Sequence, residues 1–368
     1  MALRRRWAAG TVRPAQQGLA RITMEGTVDQ LVYPFAQMPA AGSVIEVADG
    51  ILWLSSPLPF VGLKQVNLWL LRDGDGWTMV DCGYGNDLAW EALDATWAAA
   101  LDGRPIRRLI ITHFHPDHTG NARRIAERWD VTPLMSQAEW FAANLASHDR
   151  ASEQITSRVA FFRAHGLAEA RVKVFAEGVV PYAAGVALPP THQSIRDGDT
   201  ITIGSDDWTV ITGEGHSPEH AALYCRARKI LISGDQILPT ITTNISVWPD
   251  EPEGDPLGLF LKTCARLRGL IDPATLVLPS HRRPFRNVQR RLDELAHHHD
   301  ERLAMVVAAA AQEITAADLI DVLFPRALDG HQMGFAMGEA IAHLNYLVRQ
   351  GRMERRRDRS GTWRFKAS

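Results

Sequence analysis

The stretch Thr112-His113-Phe114-His115-Pro116-Asp117-His118-Thr119-Gly120-Asn121 decides how this chain reads. Three histidines and one carboxylate fall between positions 113 and 118. The apolar run Leu109-Ile110-Ile111 before it predicts a buried strand, and a helix is expected just after Asn121. On extended backbone, side chains at i and i+2 point the same way, so His113 and His115 can face one point. Pro116 ends the regular strand. The turn it forces brings Asp117 and His118 to a neighbouring point. Imidazole and carboxylate together suit borderline divalent metals such as zinc. The plain alternative is a histidine-rich surface loop.

Three distant segments argue against that alternative. Gly213-Glu214-Gly215-His216 follows the strand-like run Trp208–Thr212, Ser233-Gly234-Asp235 follows Lys229–Ile232, and Pro279-Ser280-His281 follows Leu276–Leu278. Each places a metal-competent side chain just past an apolar strand, where functional loops gather at a sheet edge.

With these motifs the chain resembles the metallo-β-lactamase-fold hydrolase superfamily, over roughly residues 45 to 285. Its signature is T-H-x-H-x-D-H, then G-H, then G-D, then a late G-H. Asp235 is similar to the aspartate of the glyoxalase II-like branch. The resemblance implies an α/β fold: a four-layer αββα sandwich. It implies His113, His115 and His216 on one metal ion, Asp117, His118 and His281 on a second, and Asp235 bridging. Two divalent ions, zinc or else iron or manganese, would share a water and lower its pKa toward about 7. A metal-bound hydroxide is then the nucleophile, and Asp117 doubles as the catalytic proton carrier. Asp81, in Val80-Asp81-Cys82-Gly83, matches a family aspartate that supports the metal loops. His220 reads as an orienting neighbour rather than a ligand. Arg282 and Arg283 stand where the family has glycine after the histidine.

Composition fits an ordinary globular protein, with 46% hydrophobic and 22% charged residues. A net charge of -2 gives no whole-molecule attraction to nucleic acid. Cys82, Cys225 and Cys264 are widely spaced, lie in apolar surroundings and outline no disulfide framework, which fits a reducing, cytoplasmic setting. No apolar run reaches membrane-spanning length. Residues 1–44 read as an unassigned N-terminal extension, basic at its start, with Met24 as an alternative beginning.

Residues 45–287 read as the catalytic domain, with a helical insertion at 137–196. That insertion contains two helix-like stretches, Gln137–Ala146 and Glu153–His165, then an irregular segment from Gly178 to Pro190. It is expected to wall the pocket above the metals; peripheral decoration is the alternative. The loop Gln236–Asn244, following Asp235, should border that pocket with Ile237 and Leu238. Residues 288–368 form helices at about 288–311, 316–324 and 337–350 and a hairpin around Ser360-Gly361. This order resembles a winged-helix domain. His297-His298-His299 reads as a solvated helix face.

The expected reaction is hydrolysis of a thioester, lactone or related ester of a small molecule. A metal-dependent endoribonuclease is the alternative, resting on wing residues Arg355, Arg356, Arg357 and Arg359. A β-lactamase is a weaker one. A small-molecule substrate is the expected partner, with nucleic acid disfavoured but open, no membrane, and homo-oligomer contact one role left for the C-terminal domain.

Overall fold

The computed structural model describes residues 30–60, 62–148 and 151–368. The basic N-terminal stretch and Met24 lie outside them.

The first sheet begins as an antiparallel meander of β1 (Val44–Ala48), β2 (Ile51–Pro57), β3 (Gln65–Asp73) and β4 (Gly76–Val80). Asp73 pairs with Gly76 across the Gly-containing turn. α1 (Asp87–Ala100) follows; the Asn86 side chain accepts from Ala89 N at 2.8 Å and caps it. β5 (Ile106–Ile110) returns parallel to β4. The metal-type stretch then forms one short helical turn, α2 (Pro116–Thr119), before α3 (Ala122–Trp129). β6 (Leu134–Ser136), α4 (Gln137–Ser147), α5 (Ala151–Ala164), α6 (Glu169–Gly178) and β7 (Gln193–Ile195) complete this half.

The second sheet has the order β12-β11-β10-β9-β8. Its strands are β8 (Thr200–Ile203), β9 (Asp206–Gly213), β10 (His220–Cys225), β11 (Ile230–Gly234) and β12 (Leu276–Pro279). α7 (Pro256–Leu270) links the last two; Asp255 caps it by accepting from Gly258 N at 3.0 Å, with proline at its first position. α8 (Val288–Ala309), α9 (Asp318–Leu323), α10 (Gly330–Arg349) and the hairpin β13 (Met353–Arg357)–β14 (Trp363–Ala367) end the chain. Ile314 makes a single bridge to Phe365 on the free side of β14.

Alternation along β3 explains the layering. Leu68 and Leu70 point to an outer core with Leu93, Trp97 and Ile125 of α1 and α3. Trp69 and Leu71 point inward to meet Trp208, Leu223 and Ile232 of the second sheet. The outer face of that sheet, through Ala222, Leu231 and Val277, lies under Phe260 of α7 and Leu295 of α8. The result is the αββα sandwich with a C-terminal helical domain.

Several local expectations need correcting. The insertion holds a third helix, α6, which lacks a side-chain cap and carries β-branched Val172 and Val174. Val172 and Phe175 are buried, so packing rather than propensity holds it. α10 begins at Gly330, seven positions before 337; its glycines at 330, 334 and 338 mask the helical signal. His299 is not solvated: it is 1% exposed and packs against Phe260 and His343. Ile237 and Leu238 do not line a pocket, because both are buried, with Ile237 in the core over the second sheet.

Candidate metal centre

The ends of β5, β9, β11 and β12 deliver the seven candidate side chains to one edge of the sandwich. His113 Nε2 lies 3.0 Å from His115 Nδ1 and 3.2 Å from His216 Nε2. Asp117 Oδ2 lies 3.6 Å from His118 Nε2 and 3.4 Å from His281 Nε2. Asp235 stands between these two triads. Its Oδ2 is 3.5 Å from His216 Nε2, and its Oδ1 is 3.7 Å from His118 Nε2 and 3.4 Å from His281 Nε2. Ligand atoms held tetrahedrally at zinc distances are separated by about 3.4 Å, so the spacing fits.

The hydrogen bonds fix which ring nitrogens face inward. Thr112 Oγ1 donates to Asp81 Oδ2 at 2.9 Å, so it accepts from His113 Nδ1 at 3.0 Å. His118 Nδ1 donates to Asp81 Oδ2 at 2.8 Å. His216 Nδ1 donates to the Asn244 carbonyl at 2.8 Å, and His281 Nδ1 to the Gln65 carbonyl at 3.2 Å. Each of these four rings therefore keeps Nδ1 on its outer partner and turns Nε2 toward the cluster. His118 Nε2 and Asp235 Oδ1 are buried without a hydrogen-bond partner among the described residues. Such atoms call for a cation.

Electrostatics agree. Burial disfavours charge on His118 and His281, but the surrounding carboxylates outweigh it and push their pKa values up to about 9 and about 10. Burial and His216 together push His115 and His220 down to about 3. Burial opposes ionisation of Asp117 and Asp235, yet the facing histidines hold both carboxyls below their usual range. The acidic half of the cluster thus demands positive charge, and its other half consists of neutral lone-pair donors.

Asp81 supports the loop as expected. Besides His118 it accepts from Thr112 N at 2.7 Å and Thr112 Oγ1 at 2.9 Å, from a left-handed backbone with φ 61°. His220, also expected as an orienting group, accepts from Asp235 N at 3.1 Å. Arg283 does not reach the site. It donates to the Phe35 and Ala36 carbonyls and covers the Tyr33 ring, tying down the segment before β1.

The insertion reaches the metal loop through its irregular part. Tyr182 Oη lies 3.1 Å from Thr119 Oγ1 and donates to the Phe114 carbonyl. Gly85, Gly120 and Gly185 meet so closely that a Cβ at Gly85 would lie 2.6 Å from Gly120 O and 2.7 Å from Gly185 O. Glu139, on the buried side of α4, was not singled out by the sequence. Its carboxylate accepts from Phe114 N, Ser217 Oγ and Glu219 N. The signal available was an acidic residue in an otherwise apolar helical face.

Residues 61–304 match the model of the metallo-beta-lactamase superfamily, and residues 303–368 that of a metallo-beta-lactamase-like C-terminal domain. The crystal structure of a beta-lactamase domain protein from Burkholderia ambifaria is similar, with 42% identity and a TM-score of 0.86, over 92% of this chain and 98% of that one. A probable metallo-hydrolase of Bacillus subtilis, YqjP, is 25% identical over 81% of this chain and 92% of its own length. The acyl-coenzyme A thioesterase MBLAC2 of Bos taurus is 28% identical over 65% of this chain and 80% of its own. The matching fold implies a divalent metal, and the His/Asp clusters are its candidate seat. The chain belongs to the metallo-beta-lactamase superfamily, as a hydrolase that carries the C-terminal domain.

Proposed function

We propose that this hydrolase holds two divalent ions, zinc in the first instance, and cleaves a thioester or related activated ester of a small molecule. The observation that carries the dinuclear reading is Asp235, whose two oxygens face separate triads. His113, His115 and His216 would hold one ion and Asp117, His118 and His281 the other. A pair of divalent ions supplies Lewis-acid polarisation of a carbonyl and acidifies water. The chain's own residues do the rest. Asp81, Asn244 O and Gln65 O fix the imidazole tautomers. Asp117, kept ionised between His118 and His281, takes a proton and returns it at the reacting bond. Tyr182 braces the histidine-rich loop by donating to the Phe114 carbonyl.

The thioester preference follows from leaving-group chemistry: a thiolate has a conjugate-acid pKa near roughly 8.5 and departs without a strong acid. The likeness to a protein named as an acyl-coenzyme A thioesterase supports it. The aspartate at 235 supports the glyoxalase II-like branch. The three buried free cysteines support a reducing compartment, and among the described residues no helix is long and apolar enough to cross a membrane. Of the four hairpin arginines behind the endoribonuclease reading, Arg355 pairs with Glu253 and Arg356 with Glu313 at 2.7 Å; exposed pairs of this kind are weak, and the substrate panel below decides between the two readings.

Two measurements test the proposal. Elemental analysis should give close to two ions per chain, and Asp235→Asn should lower occupancy and turnover together. A panel of acyl-thioesters, lactones, penicillins and short RNAs, run with zinc- and manganese-loaded enzyme, should show thioester or lactone cleavage. Turnover of RNA or penicillin alone refutes the substrate class.

A further inference from the structure

We infer that Glu139 is a positioning residue for one half of the centre: its carboxylate locks together the two loops that carry His113, His115 and His216. The inference rests on the dinuclear reading above.

Glu139 is completely buried (0% exposed). Oε2 accepts from Phe114 N at 2.9 Å, between His113 and His115. Oε1 accepts from Ser217 Oγ at 2.5 Å and Glu219 N at 2.7 Å, directly after His216. The clasp is returned from the other side. Ser136 Oγ donates to the Glu219 carbonyl at 2.7 Å, and Glu219 Oε2 accepts from Ala138 N at 3.2 Å. The start of α4 and the loop after His216 therefore grip each other, and Glu139 extends that grip to the histidine-rich loop.

Only a carboxylate suits this place. All three partners donate, and they lie on both arms of the group. Glutamine offers an acceptor on one arm and a donor on the other, so one loop would face an N–H with an N–H. A buried mismatch of that kind is costly, and a shift of one loop away from the other would relieve it. The second triad has two anchors that Glu139 does not touch, His118 through Asp81 and His281 through the Gln65 carbonyl. Loss of Glu139 should thus loosen one ion and spare the other.

The test is a chelator titration of the full-length, zinc-loaded protein, read as zinc released per chain, with Co(II) absorption as a second signal. The wild type should release two ions. Glu139→Gln should release its first ion at roughly 10–100-fold lower chelator concentration and its second at an unchanged one. Two ions released as in the wild type, with only a lower melting temperature, would reduce Glu139 to a structural residue and overturn the inference. Equal weakening of both ions would overturn it too. A wild type that binds one ion refutes the dinuclear reading instead. If Glu139→Gln does not fold, Ser217→Ala decides, since it removes one donor and strands none of the others: a several-fold weakening of the first ion supports the clasp, and no change refutes it.

Discussion

Asp81 shows how much a single side chain outside the ligand set can carry. It fills three donors at once, from Thr112 N, Thr112 Oγ1 and His118 Nδ1. Through Thr112 it also fixes His113, so it reaches both triads. Asp81→Asn keeps the shape but puts an amide hydrogen where an acceptor is needed. We expect metal affinity to fall about 10–100-fold, measured by competition with a chelator, with a smaller loss of thermal stability. The seven candidate ligands were legible because each sits just past an apolar strand, and four of them are nearly consecutive. Asp81 was legible through Val80-Asp81-Cys82-Gly83. The Asn244 and Gln65 carbonyls were not, because every residue has a carbonyl and only the fold aims it. Glu139 was hidden for a related reason: its three partners are far away in sequence and two are backbone amides. Arg283 turns away from the centre although it lies two residues past His281, because Arg282 is in left-handed backbone, φ 71°, and the chain turns sharply there; adjacency in sequence does not give side-chain direction.

At the scale of elements, α10 ties the C-terminal domain to the centre. Its glycines at 330, 334 and 338 form one stripe. Gly330 admits the end of α6 at Gly178, Gly334 admits the Phe175 ring, and Gly338 admits Ser246. The last contact matters most. Val247 N donates to Gly338 O at 3.1 Å, Ser246 Oγ donates to Asn244 Oδ1 at 2.8 Å, and Asn244 O holds His216. A Cβ on Gly338 would lie 2.6 Å from Ser246 Cβ. Gly338→Val should therefore cost about 1–3 kcal/mol of stability, seen as a lower urea midpoint. It should also weaken the ion held by His216, though the substitution lies in another domain. Unchanged metal affinity with the stability loss would show that the segment 244–247 is not a strut. The same stripe explains why α10 and α6 were misread: three glycines weaken one helix's local signal, and the partner that needs them has no cap of its own.

One apolar cluster welds the insertion, the second sheet and the C-terminal helices to one another. Phe162 and Phe175 of the insertion, Phe260 of α7, Leu295 of α8 and Leu344 of α10 belong to it together. Polar groups caught inside it make stability depend on pH. Burial pushes His299 and His343 down to about 3 and about 4, against an unfolded value near 6.5. Between those limits the unfolded chain binds more protons than the folded one. Stability contributed by the neutral pair is full above pH 6.5 and is lost as pH falls toward 4. Glu339 acts the other way: burial, with Arg302 opposing it, raises its pKa to about 7, so stability drains as pH rises from 4.5 through 7. His343→Gln should flatten the loss of melting temperature between pH 6.5 and 4, and Glu339→Gln should raise it more at pH 8 than at pH 5. Differences on the order of 1–3 kcal/mol are expected, and calorimetry across that range reads them. Identical pH profiles for wild type and variants would mean these groups titrate normally.

α8 belongs to both halves of the molecule at once. Its 22 residues run through positions 303 and 304, where the two family segments meet. A crossover at that point would join two half-helices from different parents across a packed face. The chain breaks helical geometry upstream instead, at Asn287 with φ 75°. A chimaera joined before Asn287 should therefore keep that face intact and fold, whereas one joined at 303–304 should not, and the soluble yield of the two fusions reads the difference.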